Sequence, residues 1–73
     1  MSSAKSAKFH TRGQYAGLWV VTEGDKMWFA VQGTRDIIRV RGKYGRELDL
    51  NGKTARDVIS AIASEQHRER VRH

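Results

Sequence analysis

The chain has no cysteine, which excludes disulfide staples and thiolate metal sites and accords with a reducing cytoplasm. Its three histidines, His10, His67 and His73, lie far apart without a second ligand at helical spacing, which argues against structural zinc. There is no proline and no internal repeat, so a repeat architecture is not in play. No apolar run approaches the roughly 20 residues of a membrane span, and the first residues carry lysine without a signal-type hydrophobic stretch. A soluble, cytoplasmic protein without membrane attachment is expected.

Catalytic patterns are missing too. Ser2, Ser3, Ser6, Ser60 and Ser64 have no histidine and orienting acid in a plausible relation, and the acids stand singly. Gly42 and Gly45 suit a hairpin loop better than a phosphate cradle. Neither an enzyme, a cofactor nor a small-molecule substrate is expected. Seventy-three residues make one domain at most, and a chain of this size buries only about 60% of its unfolded surface.

What the chain has in surplus is positive charge. Fourteen Lys and Arg against eight Asp and Glu give a net +6. Such a balance attracts nucleic acid or an acidic protein surface, and it says nothing about fold.

Residues 1–13 contain Lys5, Lys8 and Arg12, no acid, and one large apolar residue, Phe9. Too little apolar surface is available there to offset the entropy of ordering, so a flexible, disordered basic arm is expected. Residues 14–66 read as the folded domain and 67–73 as a basic tail. Leu18–Thr22 and Met27–Val31 are β-branched and aromatic runs around Gly24-Asp25, which suits a type II′ hairpin turn closed by a Glu23–Lys26 charge pair. The register pairs Leu18 with Val31, Val20 with Phe29 and Thr22 with Met27, leaving Trp19, Val21, Trp28 and Ala30 on the other face.

Ile37–Arg41 and Glu47–Leu50 form a second hairpin through the loop Lys43-Tyr44-Gly45, with Gly45 left-handed. Here Ile38 pairs with Leu50 and Val40 with Leu48 toward the core, while Arg39 faces Asp49 and Arg41 faces Glu47. Thr54 is a candidate N-cap with Asp57 three residues on, and Ala55, Val58, Ile59, Ile62 and Ala63 form a helical apolar stripe. The expected fold is α+β: a small four-stranded antiparallel sheet of hairpins with one C-terminal helix on one face. The helix is expected on the Leu18, Val20, Phe29, Val31, Ile38 and Val40 face.

Three surfaces are candidates for binding. Trp19 and Trp28, on the face left bare in this reading, would stack unpaired bases or anchor a protein; the competing use is core, covered by Phe9 or Tyr15. Arg35, Arg39, Arg41, Lys43 and Arg46 are expected to form a basic stripe beside them, although ordinary cross-strand ion pairs would absorb part of it. Arg68, Arg70 and Arg72, with the Lys5, Lys8 and Arg12 arm, place cations at both ends of the chain. Cations in a last helical turn also complement the helix dipole.

The expected sheet-then-helix layout resembles that of single-stranded-DNA-binding transcriptional coactivators, without a shared run of residues, so no functional residue is carried across. Leu48–Thr54 is faintly similar to the opening of Smr domains but lacks their histidine. The expectation is therefore a non-enzymatic regulator touching DNA or RNA through its basic arms and an Arg/Trp sheet face. The alternative is a phage- or plasmid-type regulator docking on an acidic surface of a larger machine, such as the transcription apparatus.

Overall fold

Alternating apolar runs broken by glycine turns produce a meander, and the computed structural model describes it over residues 5–72, with side chains through residue 69. Five strands follow one another: β1 (Ser6–His10), β2 (Leu18–Glu23), β3 (Lys26–Gln32), β4 (Ile37–Gly42) and β5 (Glu47–Leu48). They pair antiparallel in the order β1-β2-β3-β4-β5, and α1 (Lys53–Arg72) follows. The fold is thus α+β with one C-terminal helix, but the sheet has five strands rather than four.

The added strand comes from the segment expected to be an arm. Ser6–His10 pairs with β2 from Ser6 opposite Thr22 to His10 opposite Leu18. Pairing gives its backbone hydrogen-bond partners, and the phase puts Ala7 and Phe9 on the core side, Phe9 at the margin and still 41% exposed. Phe9 meets Trp19 edge-on, with centroids 5.4 Å apart. Lys5, just before the strand, lies 3.4 Å from the Glu23 carboxylate and 5.7 Å from the centre of the Trp28 ring. Glu23 therefore bonds Lys5 rather than Lys26. Residues 1–4 of the expected arm and His73 lie outside the described residues.

The β2–β3 register is the expected one, from Leu18 opposite Val31 to Glu23 opposite Lys26. Gly24 has φ +61° and Asp25 is not left-handed, as a type II′ turn requires. Gly45 is left-handed at φ +86°, and the Gly42 N–H donates to the Arg46 carbonyl at 2.7 Å, closing the three-residue loop. Val40 faces Leu48 and Arg41 faces Glu47 as expected. Pairing stops there. Asp49 leaves the ladder and its carboxylate accepts from the Asn51 N–H at 3.0 Å. Gly52, not Thr54, opens the helix, its carbonyl accepting the Arg56 N–H at 3.0 Å.

The face assignment is reversed. A register shift between Val31 and Gln32 inserts one extra residue in β4, so Val31 faces Arg39 while Gln32 faces Ile37. Ala30 faces Val40, which places Val40 with the tryptophans. Ile37 is buried and Ile38, expected inside, is 60% exposed. The core gathers Trp19, Val21, Trp28, Ala30, Ile37 and Val40 under Ala55, Val58 and Ile62 of the helix. Ile59 is partly buried at the margin of this stripe and Ala63 is exposed. Gln66 takes the next inward position and donates to the Gln32 side-chain oxygen at 3.0 Å. The helix runs unbroken to Arg72, through the described part of the segment expected as a tail.

Candidate nucleic-acid interface

Directly opposed residues in an antiparallel sheet share a face. Opposite the helix, the open face therefore carries Lys8 of β1, Leu18, Val20 and Thr22 of β2, Met27, Phe29 and Val31 of β3, Arg39 and Arg41 of β4, and Glu47 of β5. One row runs Lys8, Val20, Phe29, Arg41, Glu47 across all five strands.

The loop from β1 to β2 folds back over this face. Its closure rests on the Gly17 N–H donating to the His10 carbonyl at 2.8 Å and the Leu18 N–H donating to the Tyr15 carbonyl at 3.0 Å. Tyr15 is thereby stacked on Phe29, ring centroids 4.9 Å apart and planes 28° from parallel. His10 meets Tyr15 edge-on at 5.9 Å. Beside these rings is a depression of about 400 Å³ whose lining includes Tyr15, Leu18, Phe29, Val31, Arg41 and Lys43. Its floor is apolar and aromatic, and cations form its wall.

The guanidinium groups differ in how far they are neutralised. Arg39 Nε lies 3.4 Å from a Glu47 oxygen, a diagonal pair in place of the expected Arg39–Asp49 and Arg41–Glu47 pairs. Both partners are largely exposed, so the attraction is weak. Among the described residues, Arg41 has no carboxylate within ion-pair distance.

The sequence-derived candidates divide accordingly. Lys8, Arg39, Arg41 and Lys43 belong to the open face or its rim. Arg12, Arg35 and Arg46 are exposed on the loops flanking it. Lys5 is on the covered side against Glu23 and Trp28. Arg68 pairs with Glu65 at 3.5 Å on the helix, away from the sheet's open face. Arg70 and Arg72 fall in the helix beyond the described side chains.

Trp19 and Trp28 are 4% and 8% exposed beneath the helix, so neither ring is presented for stacking. The expected Arg/Trp face does not exist; the arginines share their face with Phe29 and Tyr15. Neither aromatic stood out in the sequence. Phe29 was in view through alternation, because it must take the face that Trp28 does not. Tyr15 gave no comparable signal, since a loop residue has no strand phase.

Among the described residues no helix is long and apolar enough to cross a membrane. The chain matches no known protein family, no curated protein and no solved structure. The reading of the site therefore rests on its own geometry.

Proposed function

We propose that this chain is a small non-enzymatic module that binds single-stranded nucleic acid on the open face of its sheet. The observation that carries the reading is the Tyr15–Phe29 stack bordered by Arg41 and Lys43. Unpaired bases gain about 1–3 kcal/mol each by stacking on aromatic rings, and cations alongside hold the phosphates. A duplex keeps its bases stacked on one another and offers this face only its backbone. The surplus of +6 supplies attraction at longer range, and exposed Lys8, Arg12, Arg35 and Arg46 surround the face.

The test is fluorescence anisotropy of labelled oligonucleotides of about 12 nucleotides, within the range of known single-strand site sizes. Measurements at about 50 and 200 mM salt span the range in which phosphate-dominated affinity changes steeply. Micromolar or tighter binding to single strands that weakens with salt and is reduced by Tyr15→Ala supports the reading. Absence of binding, or binding indifferent to salt and to Tyr15→Ala, overturns it. That result would direct the search to a protein partner with an acidic surface, including the transcription apparatus.

A further inference from the structure

The loop between β4 and β5 carries an aromatic side chain that the fold does not use. Tyr44 is 91% exposed at the tip of that loop. Lys43 Nζ lies 5.8 Å from its ring centroid. In a meander, alternate turns fall at the same end of the sheet. The Gly24-Asp25 turn and the Tyr44 loop therefore come together at one end, and the Tyr15 loop starts from the other. Between the first two is a second depression of about 490 Å³, lined by Asp25, Lys26, Met27, Trp28, Lys43 and Tyr44. Lys43 lines both this depression and the one beside Tyr15 and Phe29.

We propose that Tyr44 is a second base-stacking platform, and that Lys43 holds the phosphodiester backbone where it passes from one depression to the other. This rests on the single-strand reading of the open face and gives it a path: a strand lies along β3 and β4, with one base against Tyr15 and another against Tyr44. The charge suits this occupant: Lys26 and Lys43 outnumber Asp25 in the lining, and the nearby Glu23 and Glu47 are paired with Lys5 and Arg39. An exposed ring with a cation beside it offers a base both stacking and phosphate attraction.

The experiment compares wild type with Tyr44→Ala, Tyr44→Phe and Tyr15→Ala in anisotropy titrations with a labelled oligothymidine of about 12 nucleotides, each variant first checked for its fold by circular dichroism. Tyr44→Ala is expected to weaken binding about 5- to 150-fold, the equivalent of one stacked base. Tyr44→Phe, which keeps the ring, should bind as wild type does. Wild-type affinity in Tyr44→Ala alongside loss in Tyr15→Ala overturns the second platform and leaves the first. Equal losses in Tyr44→Ala and Tyr44→Phe also overturn it, because the hydroxyl and not the ring would then be the contact. Failure of wild type to bind removes the single-strand reading itself, and this inference with it.

Discussion

The two faces of the sheet are written in alternate residues of the same strands, and both are apolar at their centres. Trp19, Val21, Trp28 and Ala30 lie under a helix, whereas on the opposite face Val20 is buried but Leu18, Phe29 and Val31 remain only partly buried, with Tyr15 stacked on Phe29. The strand that separates them is β4. It contributes Ile37 and Val40 to one face and Arg39 and Arg41 to the other. The aliphatic stripe Ala55, Val58 and Ile62 has no carboxylate to offer two guanidinium groups, since Asp57 and Glu65 lie at its margin. Docking on the arginine face would strip water from unpaired charges at a cost of several kcal/mol. Apolar content therefore does not choose the covered face here; the charge of one neighbouring strand does.

The largest test of this contrast is Trp28→Ala. Emptying a core site of that size costs about 3–5 kcal/mol, a large share of the total for a domain of this length. Urea denaturation should show a folded population much reduced at low denaturant. On the open face, Tyr15→Ala should cost far less stability and impair oligonucleotide binding instead. A Tyr15→Ala loss as large as that of Trp28→Ala would erase the distinction between the faces.

Next in size is Gly33→Ala, which probes the bulge that gives β4 its phase. A Cβ at Gly33 would stand 2.5 Å from Ile38 Cγ2 and 3.0 Å from the Asp36 carbonyl oxygen. Destabilisation of about 1–3 kcal/mol is expected. Ile38→Ala in the same chain should recover part of it, measurable as a coupling energy in a double-mutant cycle of urea melts.

Smaller again is Gln66→Ala, which removes the hydrogen bond between the helix and the end of β3. A loss of about 0.5–1.5 kcal/mol is expected in thermal or urea unfolding. Smallest in stability is Arg41→Ala, at under about 0.5 kcal/mol for an exposed side chain. Its effect belongs to binding: the salt slope of single-strand affinity should fall by about 0.7, one phosphate contact. Arg39→Ala should do less, because Glu47 already offsets that guanidinium, and Glu47→Gln should tighten binding.

Local chemistry made much of the meander legible. Gly24 and Gly45 fix two turns, and a turn fixes the register of the strands it joins, so the pairs Val20–Phe29 and Val40–Leu48 follow from sequence. What alternation cannot supply is the phase of one hairpin relative to the other. That is set in Gly33–Asp36, where the Gly33 N–H donates to the Asp36 carbonyl at 2.7 Å and Ile38 becomes the extra residue. One residue of slip exchanges every side chain between faces, and with it the roles of the tryptophans and Phe29. Ser6–His10 was illegible for another reason: the segment has little apolar surface of its own, and its pairing is secured by what β2 and Trp19 offer it. The basic half of the candidate site was visible as Arg39, Arg41 and Lys43, while its aromatic half depended on the lost phase and on a loop.

The order of the elements bears on how the chain comes off the ribosome. Each strand pairs with its neighbour in sequence, so the meander can zip up from local contacts as it emerges. The cover for Trp19 and Trp28 is encoded after all five strands, in residues 53–72. Until residues 53–72 dock, both indoles lack that lid. A chain whose sheet forms before the helix docks thus bares an apolar face, and a chaperone has its opportunity in that interval.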